Sequence, residues 1–230
     1  MRDIIERLLR RGFQAYVVGG AVRDLYLGRK PRDWDVASDA RPGDVERMFS
    51  KTIPTGREFG TVTVLQNRFP VQVTTFRAEG KYLDRRRPTK VSFHADLKAD
   101  LARRDFTINA MAYDLRRHAF VDPFHGIRDL TKKRLRTVGP AHERFAEDAL
   151  RVVRAGRFIS ELDLTPDSKL TQAAGREARN MSRLSAERIR DELSKLLVGK
   201  TPSRGLFWLD HAKILTKIIP MLEKAKGVDQ

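Results

Sequence analysis

The stretch from Ala15 to Asp39, AYVVGGAVRDLYLGRKPRDWDVASD, carries the reading of the whole chain. Tyr16-Val17-Val18 is a short apolar run of strand type, interrupted by Gly19-Gly20, and Ala21 to Leu27 then reads as one or two helical turns closed by Gly28. A strand that leads through glycines into a helix start presents unpaired backbone N–H groups and the positive end of a dipole. The paired glycines let a phosphate approach the main chain, and Arg23 sets a cation beside it. Past the basic linker Arg29-Lys30-Pro31-Arg32, Asp33-Trp34-Asp35-Val36 reads as a second strand. Residues two apart on a strand share a face, so Asp33 and Asp35 project together and call for a cation between them. Taken singly, Gly-Gly is most often a turn and Asp-x-Asp a solvated strand edge. Within one stretch, a phosphate-binding turn, a basic linker and a carboxylate pair supply both halves of a metal–nucleotide site.

Working outward, Ile4, Ile5, Leu8 and Leu9 recur at helical spacing, which predicts an N-terminal amphipathic helix packed on the sheet that begins at Ala15. A second short helix is expected within Asp39–Ser50, after Pro42-Gly43. Thr61–Leu65 and Val71–Arg77 are β-branched and alternating, separated by Asn67 and Pro70, and read as a hairpin. Ala78 to Lys90 is charged and without apolar periodicity, a loop carrying Arg85, Arg86 and Arg87. A helix over Asp96–Arg104 delivers the dense run Arg103-Arg104-Asp105-Phe106-Thr107-Ile108-Asn109-Ala110-Met111. Core packing accounts for Phe106, Ile108 and Met111 but not for Arg104, Asp105 and Asn109, so one side of this element is expected to face a ligand. Ala112–Leu115 and Ala119–Val121 read as two more strands around Arg116-Arg117, and the Pro and Gly of Asp122-Pro123-Phe124-His125-Gly126 read as a structural corner.

At Gly139-Pro140 the chain changes from strands to helices, and the domain boundary is placed there. A single amphipathic helix is predicted from His142 to Leu162, with Asp148 and Arg151 three apart on one face. Further helices are expected at Asp167–Arg179 and from Ser185 to Val198, the latter with Ser185 as its cap. A last helical pair is expected over Ser203–Glu223, with Phe207, Trp208, Leu209, Ile214, Leu215, Ile218 and Ile219 as core. The five histidines are scattered without metal-ligand spacing and read as structural or surface.

Composition narrows the partner. Among 230 residues, Lys+Arg 46 against Asp+Glu 30 gives a formal charge of +16, which favours a polyanion such as nucleic acid. Zero cysteines exclude disulfides and thiolate metal sites, in keeping with a reducing compartment. The charged opening MRDIIERLLR is no signal peptide and no apolar run is long enough to span a bilayer, so a cytoplasmic protein without membrane contact is expected.

Five of these motifs, in order, resemble one family. GG-x-x-R-D followed by D-x-D is similar to the nucleotidyltransferase superfamily of DNA polymerase β, and the flanking motifs resemble its class II branch, the tRNA CCA-adding enzymes and bacterial poly(A) polymerases. Those motifs are R-R-D-F-T-x-N-A, D-P-F-x-G-x-x-D-L, E-D-x-x-R-x-x-R-x-x-R-F and S-x-E-R-I-x-x-E-L. The resemblance implies an α+β chain: a small mixed five-stranded nucleotidyltransferase head at residues 1–139 and an all-helical neck at 140–230, without the family's further RNA-binding body and tail. It implies Mg²⁺ held by Asp33 and Asp35, a nucleotide site of Gly19, Gly20, Arg23, Arg104, Asp105 and Asn109, with Arg104 and Asn109 on triphosphate oxygens and Asp105 on the ribose. It also implies a helix that reads the base through Asp148, Arg151, Arg154 and Arg157.

The activity so implied is template-independent addition of C and A, from CTP and ATP, to the 3′ end of tRNA. A poly(A) polymerase is the alternative within the family. A small-molecule nucleotidyltransferase is disfavoured by the base-reading motif and the charge, and a non-catalytic RNA-binding module is the alternative from another class. One position departs from the pattern: where the family strand V-x-V-T-T-F-R carries a third carboxylate, this chain has Gln72, and the catalytic set becomes Asp33, Asp35 and Gln72.

Overall fold

The computed structural model describes residues 1–66, 69–79, 91–93 and 96–225. Arg85, Arg86 and Arg87 lie outside them. Contacts divide the chain into two compact units between Ile127 and Arg128.

The first unit is built on one mixed sheet. Helix α1 (Arg2–Arg10) buries Ile4, Ile5 and Leu8, the stripe its spacing predicts. It is followed by β1 (Ala15–Val18), α2 (Gly20–Tyr26), β2 (Trp34–Ser38), α3 (Pro42–Met48), β3 (Thr52–Gly56), β4 (Thr61–Gln66) and β5 (Phe69–Thr75). A two-residue ladder joins β6 (Ala78–Glu79) to β7 (Val91–Ser92), and α4 (Leu97–Ala102), β8 (Ala112–Asp114) and β9 (Ala119–Val121) complete the unit, with α5 (Gly126–Thr131) spanning the division.

The sheet has seven strands in the order β3-β4-β5-β2-β1-β8-β9, not five. The strand that escapes the sequence is β3, TIPTG: it lacks alternation, contains Pro54 and ends on Gly56. Such a segment can pair only at an edge, and β3 pairs with β4 alone. At the other edge, β8 ends at Asp114 because its Oδ1 accepts from the backbone N–H groups of Arg116 and Arg117 and turns the chain into β9. Pro70 is not a separator, as the sequence reading had it, but part of β5, opposite Leu65.

Register decides which side chains meet. β2 pairs with β5 in parallel, Asp35 opposite Gln72, while β1 lies antiparallel to β2 with Val18 opposite Asp35. Val36 and Ala37 of β2, Val71 and Val73 of β5 and Val62 and Val64 of β4 are buried. Partners in register share a face, so Gln72 points to the side that carries Asp35.

The second unit is helical: β10 (Arg134–Leu135), α6 (Ala141–Glu147), α7 (Leu150–Leu162), β11 (Thr165–Pro166), α8 (Ser168–Arg176), α9 (Ala186–Leu197), α10 (Pro202–His211), α11 (Leu215–Ile218) and α12 (Met221–Ala225). It begins before Gly139-Pro140, because β10 pairs in parallel with β11 and Arg136 forms an ion pair with Asp129 at 2.9 Å. Helix α7 supplies its core, with Val152, Val153, Ala155, Phe158 and Ile159 buried and packed on α9 and α10.

Three helical expectations are corrected. The helix read from His142 to Leu162 is two, broken at Asp148, whose backbone is extended (φ −150°, ψ 105°) and whose Oδ1 accepts from Leu150 N at 3.1 Å. A carboxylate placed so satisfies the opening turn of a new helix. The expected last pair is three short helices, and Phe207 is 74% exposed, not core. Ser185 takes the cap position of α9 but makes no side-chain cap bond. Among the described residues, no helix is long and apolar enough to cross a membrane.

Candidate active site

In the first unit, three elements converge on Gly19. β1 delivers it, and its φ of 75° is a conformation that glycine adopts without cost. A Cβ built there would lie 2.9 Å from Arg104 Nη1 and 3.4 Å from Asp35 Oδ2. The missing side chain is thus the space in which the guanidinium and the carboxylate approach one backbone position. Gly20 opens α2, and a Cβ there would lie 3.6 Å from Arg23 Nη2.

Asp33 is exposed just before β2, and Asp35 is half-buried within it. Burial raises the Asp35 pKa above the ordinary carboxylate value; the positive charge of Arg104 opposes this and the negative charge of Asp33 adds to it. Gln72, opposite Asp35, is exposed. Arg104 is held by Asp100 of α4, a fully buried carboxylate whose Oδ2 lies 3.3 Å from Nη2. Burial pushes the Arg104 pKa below its ordinary range, with Asp100 the main opposing influence. Asp100 also pairs with Arg103 at 2.9 Å.

Arg23, Asn109 and Asp105 form a buried chain. Arg23 Nη1 donates to Asn109 Oδ1 at 3.0 Å, Asn109 Nδ2 donates to Asp105 Oδ1 at 3.2 Å, and Phe106 N donates to the same oxygen at 2.7 Å. The turn Thr107–Asn109 that carries Asn109 rests on the corner at Gly126, where a Cβ would stand 2.2 Å from the Thr107 carbonyl. Asp122 fixes that corner, accepting from Gly126 N and Ile127 N at 2.7 and 2.9 Å. The structure therefore gathers Gly19, Gly20, Arg23, Asp35, Arg104, Asp105 and Asn109, with Asp33 and Gln72 at the rim.

In the second unit, Asp148 and Arg151 share the start of α7 but bind other groups. Asp148 Oδ2 accepts from Arg188 Nη2 of α9 at 2.7 Å. Arg151 Nη1 donates to Glu147 Oε2 at 2.5 Å and to the Arg144 carbonyl at 3.0 Å. Glu192 of α9, 9% exposed, lies 3.1 Å from Arg157 Nε and 3.9 Å from Arg154 Nε. Each basic residue of the row thus has a carboxylate beside it. Asp100 was not singled out from the sequence, whereas Glu147, Arg188 and Glu192 stand within the motifs E-D-x-x-R-x-x-R-x-x-R-F and S-x-E-R-I-x-x-E-L without a role of their own. Asp100→Arg104 and Glu147→Arg151 have the i, i+4 spacing that could have revealed them. The long-range pairs of α7 with α9 have no local signal.

A glycine turn, an Asp-x-Asp element and a buried arginine gathered at one strand end of a mixed sheet, followed by a helical unit, make this a head and neck of nucleotidyltransferase type. The chain belongs to the family of the poly A polymerase head domain, whose model matches residues 15–136. A second model, described as a probable RNA and SrmB-binding site of polymerase A, matches residues 163–226. A CCA-adding enzyme of Bacillus pumilus is 44% identical over 226 residues, 98% of this chain and 56% of that protein. One of Pediococcus pentosaceus is 42% identical over 229 residues, 100% of this chain and 58% of its own. The chain spans a little over half the length of these relatives. The crystal structure of the Bacillus stearothermophilus CCA-adding enzyme in complex with CTP superposes with a TM-score of 0.84 at 42% identity, covering 92% of this chain and 51% of that one.

Proposed function

We propose that the chain carries out template-independent nucleotidyl transfer, adding C and A from CTP and ATP to the 3′ end of a tRNA, as its similarity to CCA-adding enzymes indicates. The observation that carries the reading is the convergence of Gly19, Asp35 and Arg104 at one point of the sheet. A backbone position open to a phosphate, a carboxylate and a guanidinium are the three kinds of group that a metal–triphosphate requires.

The donor set fits Mg²⁺. Asp33 and Asp35 offer oxygen only, their like charges disfavour each other, and a hard divalent ion needs only one or two carboxylates beside its waters. When bound there, Mg²⁺ would acidify the RNA 3′-hydroxyl and neutralise charge on the triphosphate. Arg104, its planar fork anchored by Asp100, would donate to phosphate oxygens, and the Arg23–Asn109–Asp105 chain would stiffen the wall behind it. In the helical unit, Asp148 accepts from a base amine and Arg151 donates to the adjoining ring nitrogen. Cytosine and adenine present that donor–acceptor pair on their pairing edges, whereas uracil and guanine present the reverse. Each carboxylate oxygen of Asp148 keeps a lone pair beyond the bonds from Leu150 and Arg188.

The test is incorporation: the chain with Mg²⁺, a tRNA lacking its 3′ end and each labelled NTP singly, then CTP with ATP. Extension by C and then A is expected. Repeated A addition would make it a poly(A) polymerase, and no extension with retained RNA binding would make it a binding module.

A further inference from the structure

Arg151 is held from α6, the helix that precedes its own. Glu147 closes α6 and Arg151 stands in the first turn of α7, with the extended backbone of Asp148 between them. Their contact at 2.5 Å has the i, i+4 spacing of a helix-surface ion pair, yet it ties two helices together across a break. A second bond runs the same way, from Arg151 Nη1 to the Arg144 carbonyl at 3.0 Å. Both bonds use Nη1, which carries two hydrogens, so this end of the guanidinium is anchored on the last turn of α6.

Arg144 enters twice. Besides its carbonyl, its guanidinium Nη1 lies 3.0 Å from Glu147 Oε2, the same oxygen that accepts from Arg151. One carboxylate oxygen is thus shared by two arginines, one from either side of the break. The Arg144 side chain is 19% exposed, and a Cβ built on Gly139 would lie 3.9 Å from its Nε and Nη2, so the guanidinium lies against that glycine as well as against Glu147. Its Nε is buried without a hydrogen-bond partner among the described residues, which opposes folding. A side chain needed only for packing would carry no such group. What arginine supplies here is a charge that keeps Glu147 turned towards Arg151.

Asp148, the carboxylate of the proposed base reading, is fixed from elsewhere, by Arg188 of α9 and by Leu150 N. The two groups have separate supports, α9 for the acceptor and the end of α6 for the donor. Hydrogen bonds weaken steeply with misalignment, so selection depends on how firmly each support holds.

We infer that Arg144 is a positioning residue for nucleotide selection: it holds Glu147, and Glu147 together with the Arg144 carbonyl sets the guanidinium of Arg151 against the base edge. This rests on the proposed base reading and adds what keeps its donor in place. Arg144 acts through its neighbours, so its removal alters the binding of nucleotides and the choice among them, and not the chemical step.

The test measures dissociation constants of the full chain with Mg²⁺ for CTP, ATP, UTP and GTP, and KM and kcat for transfer of CTP and ATP to a tRNA lacking its 3′ end. Arg144→Ala keeps the carbonyl and removes only the guanidinium. It is expected to lower the preference for CTP over UTP about tenfold and to raise KM for CTP and ATP about fivefold, with kcat changed less than about threefold. Arg144→Lys returns a cation three residues before Glu147 and should recover the preference to within about threefold of wild type. Glu147→Gln should lose the preference at least as far as Arg144→Ala, and adding Arg144→Ala to it should cost less than about twofold more, because the one residue acts through the other.

Unchanged selectivity in Arg144→Ala, losses that multiply in the double variant, or a loss in kcat alone overturns the inference. Lower stability does not imitate the expected result, since an unfolded fraction weakens the binding of all four nucleotides alike; Arg144→Gln serves if the alanine variant does not fold. Arg151→Ala separates the two levels. If it leaves selectivity unchanged, the base reading falls and the role of Arg144 with it, whereas selectivity lost in Arg151→Ala and kept in Arg144→Ala overturns this inference alone. If the wild-type chain binds CTP and ATP in preference, with the expected pattern among the variants, but transfers neither, the positioning role stands and the proposed activity falls.

Discussion

At the scale of single residues, the site is a balance between two charges that burial disfavours, Asp35 and Arg104. If Asp33 and Asp35 hold Mg²⁺ as proposed, Asp35→Asn should abolish incorporation, and so should Asp33→Asn, because neither amide would replace an anionic ligand. The folded-state pKa of Asp35 is raised above the unfolded value of about 3.9, so ionised Asp35 opposes folding once the pH exceeds its folded pKa, and the penalty vanishes below about pH 3.9. Asp35→Asn should therefore melt at or above the wild-type temperature at pH 7, with the difference closing towards pH 3. Thermal unfolding at the two pH values decides this, and an Asp35→Asn protein that melts well below wild type at pH 7 would refute it. Gln72 stands opposite Asp35 on a neighbouring strand, where a carboxylate would add charge for the metal and a group able to take a proton, typically worth ~10²–10⁴-fold in rate. Gln72→Glu should raise the single-turnover rate at least about tenfold with little change in nucleotide affinity, and no gain would place residue 72 outside the reacting centre.

At the scale of elements, the packing of α7 on α10 depends on two glycines. A Cβ on Gly205 would lie 2.5 Å from the Gly156 carbonyl oxygen, and one on Gly156 would lie 2.9 Å from the Leu209 side chain. Alanine is intrinsically better than glycine inside a helix by up to ~1 kcal/mol, but a backbone oxygen cannot rotate aside, and overpacking costs about 1–3 kcal/mol. The clash wins: Gly205→Ala should lower the unfolding free energy by about 1–2 kcal/mol, measurable by denaturant titration, and a neutral result would mean that the helices shift at little cost. Neither glycine stands out in the sequence, because what makes it necessary comes from another helix. The same distinction separates what the sequence disclosed from what it hid. Strands with alternation, the α1 stripe, and the motif residues on β2 and around Arg104 were legible because their signals are local. β3 was hidden because an edge strand needs no pattern of its own, and the break at Asp148 was hidden because the hydrophobic period runs through it while a side-chain cap interrupts the backbone. Phe207 was assigned to the core because periodicity identifies an apolar residue but not whether a neighbour covers it.

At the scale of the whole molecule, a formal charge of +16 is distributed unevenly in kind. In the first unit, Arg23 and Arg104 are mostly buried and tied to Asp24 and Asp100, and in the second, Arg151 and Arg157 are held by glutamates. These positions are fixed by packing and lie largely beyond the reach of mobile ions, whereas Arg176, Arg179, Lys213 and Lys217 stand in water. Salt screens exposed charges over a Debye length of about 10 Å at 0.1 M and competes directly for phosphates, but acts much less on buried pairs. Raising salt from about 50 to about 200 mM should therefore raise the KM for tRNA by about 10²-fold or more if four or more of the exposed cations meet phosphates. Over the same range the KM for CTP, measured at saturating RNA with excess Mg²⁺, should change less than about threefold. Parallel loss of both would mean that nucleotide and RNA are held by the same exposed charges, contrary to the buried anchoring of Arg104 by Asp100. Salt-insensitive RNA binding would mean that base contacts, not phosphates, supply the affinity, and the excess of arginine and lysine would then need another explanation.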